Sequence, residues 1–174
     1  MMRIGLLSDT HGHMDDRILH HLEECDEIWH AGDIGTPEVS DQLSAIKPYR
    51  AVYGNIDGHI LRRMHPKDLH FEMEGFKIWM THIGGRPGRY GQDIRKELQK
   101  VRPDIFICGH SHILKVQRDP TFRLMYLNPG AAGIHGFHKM RTLVRFNLDK
   151  GFINSLEVVE LGPRSQKFTA EQNS

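Results

Sequence analysis

No stretch of this 174-residue chain approaches the roughly 20 consecutive apolar residues that a membrane-spanning helix requires, so a membrane role has no support. Cysteine is scarce: Cys25 and Cys108 are the only two, too few for a disulfide framework. The chain enters an apolar strand directly after Met1, leaving no room for a signal peptide. These features predict a reducing, cytoplasmic setting. Charge of one sign is also lacking. With a formal net charge of +1, the whole-molecule field does not gather nucleic acid, so a phosphate-bearing partner has to be small and held by a local site. A metal-dependent nuclease is disfavoured for the same reason, there being no clustered basic and aromatic residues.

Histidine is plentiful, with 13 residues, and it serves both metal ligation and proton transfer near neutral pH. His13, His20, His21, His65, His70 and His138 lie in polar or irregular stretches and are read as solvated. Others end apolar runs. The segment from Pro103 to His112 reads as a short buried strand that meets Gly109 and then releases His110 and His112. Strand ends of this kind are where open α/β sheets place ligands. The same arrangement recurs four times: Ile4 to Ser8 before Asp9 and His11, Ile28 to Ala31 before Asp33, Arg50 to Tyr53 before Asn55, and Lys77 to Thr81 before His82.

The pattern along the chain predicts strands over 3–8, 27–31 and 49–53, alternating with helices over 15–24 and 36–46. Asp15 or Asp16 is expected to cap the first helix. Thr36, followed by Pro37, is expected to cap the second through its hydroxyl. A short helix follows near 60–64, then an antiparallel pair over 69–73 and 76–81, a helix over 92–101 and the strand before His110. The remainder reads as β, over 113–118, 122–127, 142–148 and 152–161. One domain over 1–162 and a polar tail over 163–174 account for the length.

Asp9, His11, Asp33, Asn55, His82, His110 and His112 together offer two carboxylates, one amide and four imidazoles, without a thiolate. Mixed oxygen and nitrogen ligation suits Mn²⁺, Fe²⁺, Co²⁺, Ni²⁺ or Zn²⁺. Seven ligands exceed what one catalytic ion with an open position takes, and they fit two ions sharing a carboxylate. Two such ions with two carboxylates and a hydroxide leave a net charge of about +1, which matches a phosphate ester.

Asp9-x-His11, Gly32-Asp33, Gly54-Asn55-x-Asp57, Thr81-His82 and Gly109-His110-x-His112, in this order, resemble the calcineurin-like metallophosphoesterase superfamily. The short chain and Asn128-Pro129-Gly130 are similar to its small bacterial and archaeal phosphodiesterase branch, to which a eukaryotic retromer subunit is related. The resemblance implies a four-layer α-β-β-α sandwich of two mixed sheets flanked by helices. It implies one metal site of Asp9, His11, Asp33 and His112 and a second of Asp33, Asn55, His82 and His110, with Asp33 bridging and Mn²⁺ the first-ranked metal. It further implies hydrolysis of small phosphodiesters by in-line attack of a metal-bridging hydroxide. Asp33, Asn55, His82 and His110 are the expected catalytic set. The alternatives are a low-specificity phosphomonoesterase and, because the retromer subunit binds other proteins through this fold, a non-catalytic scaffold. A homo-oligomer is left open.

Many relatives carry a histidine after the Gly-Asn pair that protonates the leaving group, where this chain has Ile56. Esters with acidic leaving groups are therefore the expected substrates. His59 is either a substitute acid or a surface histidine, and Asp57 is expected to orient a ligand. Arg86 and Arg89 form either a solvated loop or a phosphate clamp. His135 is a further candidate to face the site from the loop after Asn128, and His30 and Cys108 are read as core residues.

Overall fold

The apolar runs alternate so that neighbouring residues serve different cores. In β1 (Met2–Leu7), Ile4 and Leu6 point into one cluster while Leu7 joins another. In β5 (Phe76–Thr81), Ile78 and Met80 point one way and Trp79 the other. The strand of two sides that this pattern describes must be covered on both faces. The computed structural model, which describes residues 1–165, shows how. One sheet has the order β10-β9-β1-β2-β3 and the other β4-β5-β6-β8-β7. The further strands are β2 (Glu27–His30), β3 (Tyr49–Ala51), β4 (Asp68–Met73), β6 (Ile105–Ile107), β7 (Lys115–Asp119), β8 (Leu124–Asn128), β9 (Met140–Asp149) and β10 (Phe152–Pro163).

Ile4, Leu6, Trp29, Ile78, Met80, Ile105, Ile107 and Phe146 fill the space between the sheets. Outside the first sheet, Leu7, Leu22, Ile34 and Leu43 form a core with α1 (Asp16–Glu23) and α2 (Pro37–Ile46). Outside the second, Trp79, Phe106 and Tyr126 pack with Leu98 of α4 (Gln92–Val101). The layers are thus helix, sheet, sheet, helix, and both sheets are mixed, as the resemblance implied. A Cβ on Gly5 would lie 2.5 Å from Leu22 Cδ2, so the glycine lets α1 settle closely onto β1.

Asp15 caps α1, its Oδ1 accepting the Ile18 N–H at 3.0 Å. Thr36 takes the extended N-cap backbone but makes no side-chain cap bond, and Pro37 already removes one of the N–H groups that would need a partner. β3 stops at Ala51 rather than Tyr53, because the Tyr53 N–H turns to Pro66 O at 3.0 Å. α3 begins at His59 and ends at Met64. At the C-terminus β10 runs through Pro163, and Arg164 N–H bonds Lys139 O at 2.9 Å. From 166 onward the expected polar tail lies outside the described residues. No described helix is long and apolar enough to cross a membrane.

Candidate metal centre

β1, β2 and β3 are parallel in the first sheet, as are β5 and β6 in the second, so their carboxyl ends lie on one side. Asp9 and His11, Asp33, Asn55, His82, and His110 with His112 follow those five strands, and the loops are stitched together. The Asp9 N–H donates to Gly32 O and the His11 N–H to Asp33 O, both at 3.0 Å, and the Gly109 N–H donates to His82 O at 3.0 Å. The His110 N–H reaches Asp9 Oδ2 at 3.1 Å.

Two groups of metal-capable atoms result, Asp9 with His11 and His112, and Asp33 with His82 and His110. His112 Nε2 is 3.2 Å from Asp9 Oδ1, and His11 Nε2 is 3.9 Å from it. Asp33 stands between the groups, its Oδ2 3.5 Å from His11 Nε2 and its Oδ1 3.2 Å from His82 Nε2. Asn55 Oδ1 lies 3.1 Å from His82 Nε2 and 3.0 Å from His110 Nδ1. All seven residues singled out in the sequence therefore meet at one place.

The donor set fits metal ions better than it fits itself. Asp9 Oδ1 and His11 Nε2 are buried without a hydrogen-bond partner, an arrangement that otherwise leaves the cost of their desolvation uncompensated. Ligand atoms bound to one ion at about 2.1 Å stand about 3 to 3.5 Å apart; His112 Nε2 with Asp9 Oδ1 and His82 Nε2 with Asp33 Oδ1, both at 3.2 Å, already stand at that spacing, and the atoms of each group lie within 4.8 Å of one another. Five of the seven residues have left-handed backbones: Asp9, His11, Asp33, His110 and His112, with φ from 47 to 70°. Side-chain residues rarely adopt that conformation, and here it aims their donors inward. Gly32, at φ +100°, is required, since a Cβ there would lie 2.6 Å from the His82 ring.

Burial lowers the His11 pKa, and the carboxylates of Asp33 and Asp9 only partly oppose it, a shift in the direction of the neutral imidazole that binds metal. Burial alone would lower His82, but its hydrogen bond to Asp33 and the charges of Asp9 and Asp33 reverse this and raise it. For Asp33, burial works upward, and the bond and charge of His82, with the Ile56 N–H and His11, bring the net shift down. His82 Nδ1–H donates to Ala31 O at 2.8 Å, which directs Nε2 at Asp33 and Asn55.

Asp57 is buried and accepts three backbone N–H groups: Gly54 at 2.7 Å and Ile34 at 3.1 Å on Oδ2, and Gly35 at 2.8 Å on Oδ1. Its carboxylate ties the loop of Asp33 to the loop of Asn55. Arg62, from α3, reinforces the second loop by donating to Asp57 O at 2.6 Å and Asn55 O at 3.2 Å. His59 is exposed at the start of α3 and does not line the cleft above the seven residues. Arg86 and Arg89 are also exposed, and among the described residues their side chains form no ion pair and do not line the cleft.

Two histidines join the site from the loop after β8. His135 stacks on His11 with ring centroids 4.8 Å apart. His138, expected to be solvated, is half-buried: its ring lies edge-on to His112 at 5.2 Å and its Nε2–H donates to Gly133 O at 2.8 Å. His65, also expected in solvent, is half-buried and pairs with Ser40 Oγ at 2.9 Å. Ser8 donates to Asp9 Oδ2 at 2.6 Å and Asn128 donates to Gly109 O at 3.0 Å, so both support the site although neither is a metal-capable candidate in the sequence. Both end strands, the one signal that could have marked them. His30 is a core residue, with Nδ1 accepting the Gly32 N–H and Nε2 paired with Thr10 Oγ1. Cys108 is buried, and that burial pushes its thiol pKa well up, which leaves it inert.

The chain is similar to known proteins over most of its length. It is 29% identical over 139 residues, 75% of this chain and 77% of its relative, to a protein of Methanothermobacter thermautotrophicus named a probable metallophosphoesterase. The structure of an archaeal phosphodiesterase superposes with a TM-score of 0.70 at 21% identity, covering 91% of this chain and 100% of the other. Vps29 of Entamoeba histolytica, complexed with zinc, gives a TM-score of 0.70 at 18% identity over 92% of this chain and 100% of its own. At such identities the two structures establish a shared fold. The family model of the calcineurin-like phosphoesterase superfamily domain matches residues 2–151, so with its ordered motifs and its two-sheet fold the chain belongs to the calcineurin-like phosphoesterase superfamily.

Proposed function

We propose that the chain is a dinuclear metal-dependent phosphodiesterase acting on small phosphate esters in the cytoplasm. Asp9, His11, Asp33 and His112 hold one divalent ion and Asp33, Asn55, His82 and His110 the other, with Mn²⁺ ranked first and Ni²⁺, Fe²⁺, Co²⁺ and Zn²⁺ fitting the same donors. The observation that carries this reading is the placement of Asp33, whose two oxygens face different ligand groups at 3.5 and 3.2 Å. When bound, such ions supply positive charge for phosphate oxygens and lower the pKa of water.

The protein's own residues set the limits of the reaction. The Ile56 N–H donates to Asp33 Oδ1 at 3.1 Å and helps hold the bridging carboxylate, while the Ile56 side chain offers no proton to a leaving group. His59, being outside the cleft, does not replace it. Esters whose leaving group departs without protonation, such as aryl diesters or phosphoanhydrides, are accordingly the preferred substrates.

The test is hydrolysis of bis(p-nitrophenyl) phosphate and p-nitrophenyl phosphate by chelated protein given back Mn²⁺, Ni²⁺ or Zn²⁺. Diester turnover restored by metal supports the reading. Equal turnover of simple alkyl monoesters would sink the leaving-group argument. No hydrolysis with any metal, in protein that binds two ions, would favour a protein-binding scaffold of the same fold.

A further inference from the structure

The wall of the cleft has a chemistry opposite to that of its floor. Polar ligands make the floor, whereas Ile56, Ile113 and Phe137 line the same cleft with 46, 63 and 101% of their surface exposed. None of the three belongs to a core cluster, so the fold does not require them to be apolar. Each is fixed to the floor by its neighbours. Ile56 follows Asn55, Ile113 follows His112, and Phe137 lies two residues beyond His135, whose ring stacks on His11. Between them, Gly136 at φ +127° brings its backbone onto the His112 ring, a Cβ there falling 2.4 Å from Nδ1. The loop is thereby pressed onto the site and presents Phe137 at its edge.

The geometry points to an apolar subsite formed by Ile56, Ile113 and Phe137 that takes a flat aromatic substituent carried on phosphorus. This rests on the phosphoesterase reading, because the phosphoryl group on the floor is what places the substituent against the wall. The substrate class is therefore aryl or heteroaryl phosphate esters, a nucleobase-like ring included. Sugar phosphates and short alkyl phosphates are disfavoured, since three hydrocarbon side chains offer no partner to hydroxyl groups and a methyl group covers little of their surface. The cleft volume of about 480 Å³ lies within the usual range for small-molecule sites.

The experiment is calorimetric titration of Mn²⁺-loaded protein with phenylphosphonate and methylphosphonate, which share a charged group and differ only in the substituent. Phenylphosphonate should bind about tenfold more tightly, and Phe137→Ala should bring the ratio below about threefold, with Ile113→Ser acting in the same direction. Both side chains are exposed, so these variants are expected to fold, and metal content is measured alongside. Equal affinities in the wild type, or a ratio that survives both substitutions, would overturn the subsite while leaving the phosphoesterase reading intact. If neither phosphonate binds to protein holding two ions, both fall. If Phe137→Ala instead converts a dimer to a monomer in light scattering with the ratio unchanged, the wall is an interface between copies and the subsite is refuted.

Discussion

Replacing Asp57 by asparagine changes one oxygen to an amide and should disturb the fold and the metal centre together. The residue is 2% exposed and its carboxylate accepts the N–H groups of Gly54, Ile34 and Gly35 at 2.7, 3.1 and 2.8 Å. An asparagine that keeps its oxygen on Gly54 and Ile34 turns its NH₂ toward the Gly35 N–H, so one bond becomes a meeting of two donors and the others lose their charge. With hydrogen bonds to charged groups worth about 1.5 to 3 kcal/mol and a buried unsatisfied donor costing about 1 to 3, Asp57→Asn should destabilise the metal-free protein by about 2 to 4 kcal/mol. The two loops it joins carry Asp33 and Asn55, so affinity for the ion between those residues should fall about 10- to 100-fold. Urea unfolding in chelator reads the first effect and competition against a chromophoric chelator reads the second. Asn55→Ala is the control, since it removes a ligand without touching these three bonds. If Asp57→Asn unfolds at the wild-type urea concentration and holds both ions as tightly, the assignment of Asp57 as the tie between the loops is wrong.

Ile56→His restores a proton donor at the cleft and should raise the hydrolysis of esters with poor leaving groups by about 10²-fold relative to aryl esters; steady-state rates on an alkyl and an aryl diester give the ratio, and an unchanged ratio would count against it. Burial holds His30 down at about 3 in the folded chain. Because this lies below its value of about 6.5 when unfolded, the unfolded chain binds the extra proton between those pH values, and stability, complete above about 6.5, falls as pH drops through this window by up to about 1.4 kcal/mol per unit. His82 acts oppositely in metal-free protein: its pKa is raised, so its contribution is complete below about 6.5 and is lost as pH rises through the higher folded value. Urea melts of chelated protein between pH 4 and 8 should show the acid loss, and His30→Gln should flatten it. Because an imidazole must be neutral to bind a metal, metal binding should also weaken and release more protons as pH falls, which calorimetry in buffers of different ionisation enthalpy detects.

The convergence of the seven candidate ligands was legible because the chain announces it locally: each candidate follows an apolar strand, and parallel strands bring their carboxyl ends together. The same logic made the layers legible, through runs such as Ile105, Phe106 and Ile107, which face two cores in alternation. What escaped was carried by contacts between distant loops. His138 follows no ligand-bearing strand, and it reaches the site beside the candidate His135 because the Gly133 N–H bonds Asp9 O at 3.2 Å and Gly136 lies against His112. The left-handed backbones of Asp9, His11 and Asp33 likewise have no signature in residue type, being imposed by the hydrogen bonds between neighbouring loops. Thr36 looked like a cap because its residue type allows one, yet the hydroxyl makes no such bond.

The central claim is that Asp33 joins two ions into one phosphodiesterase site, and the most direct measurement is a titration of diester hydrolysis against bound Mn²⁺ per chain in wild type and Asp33→Asn. The account predicts activity that appears only as the second equivalent binds, and a variant that neither retains two ions nor hydrolyses the diester. Full activity at one equivalent, or an Asp33→Asn protein that binds two ions and turns over at the wild-type rate, would contradict it.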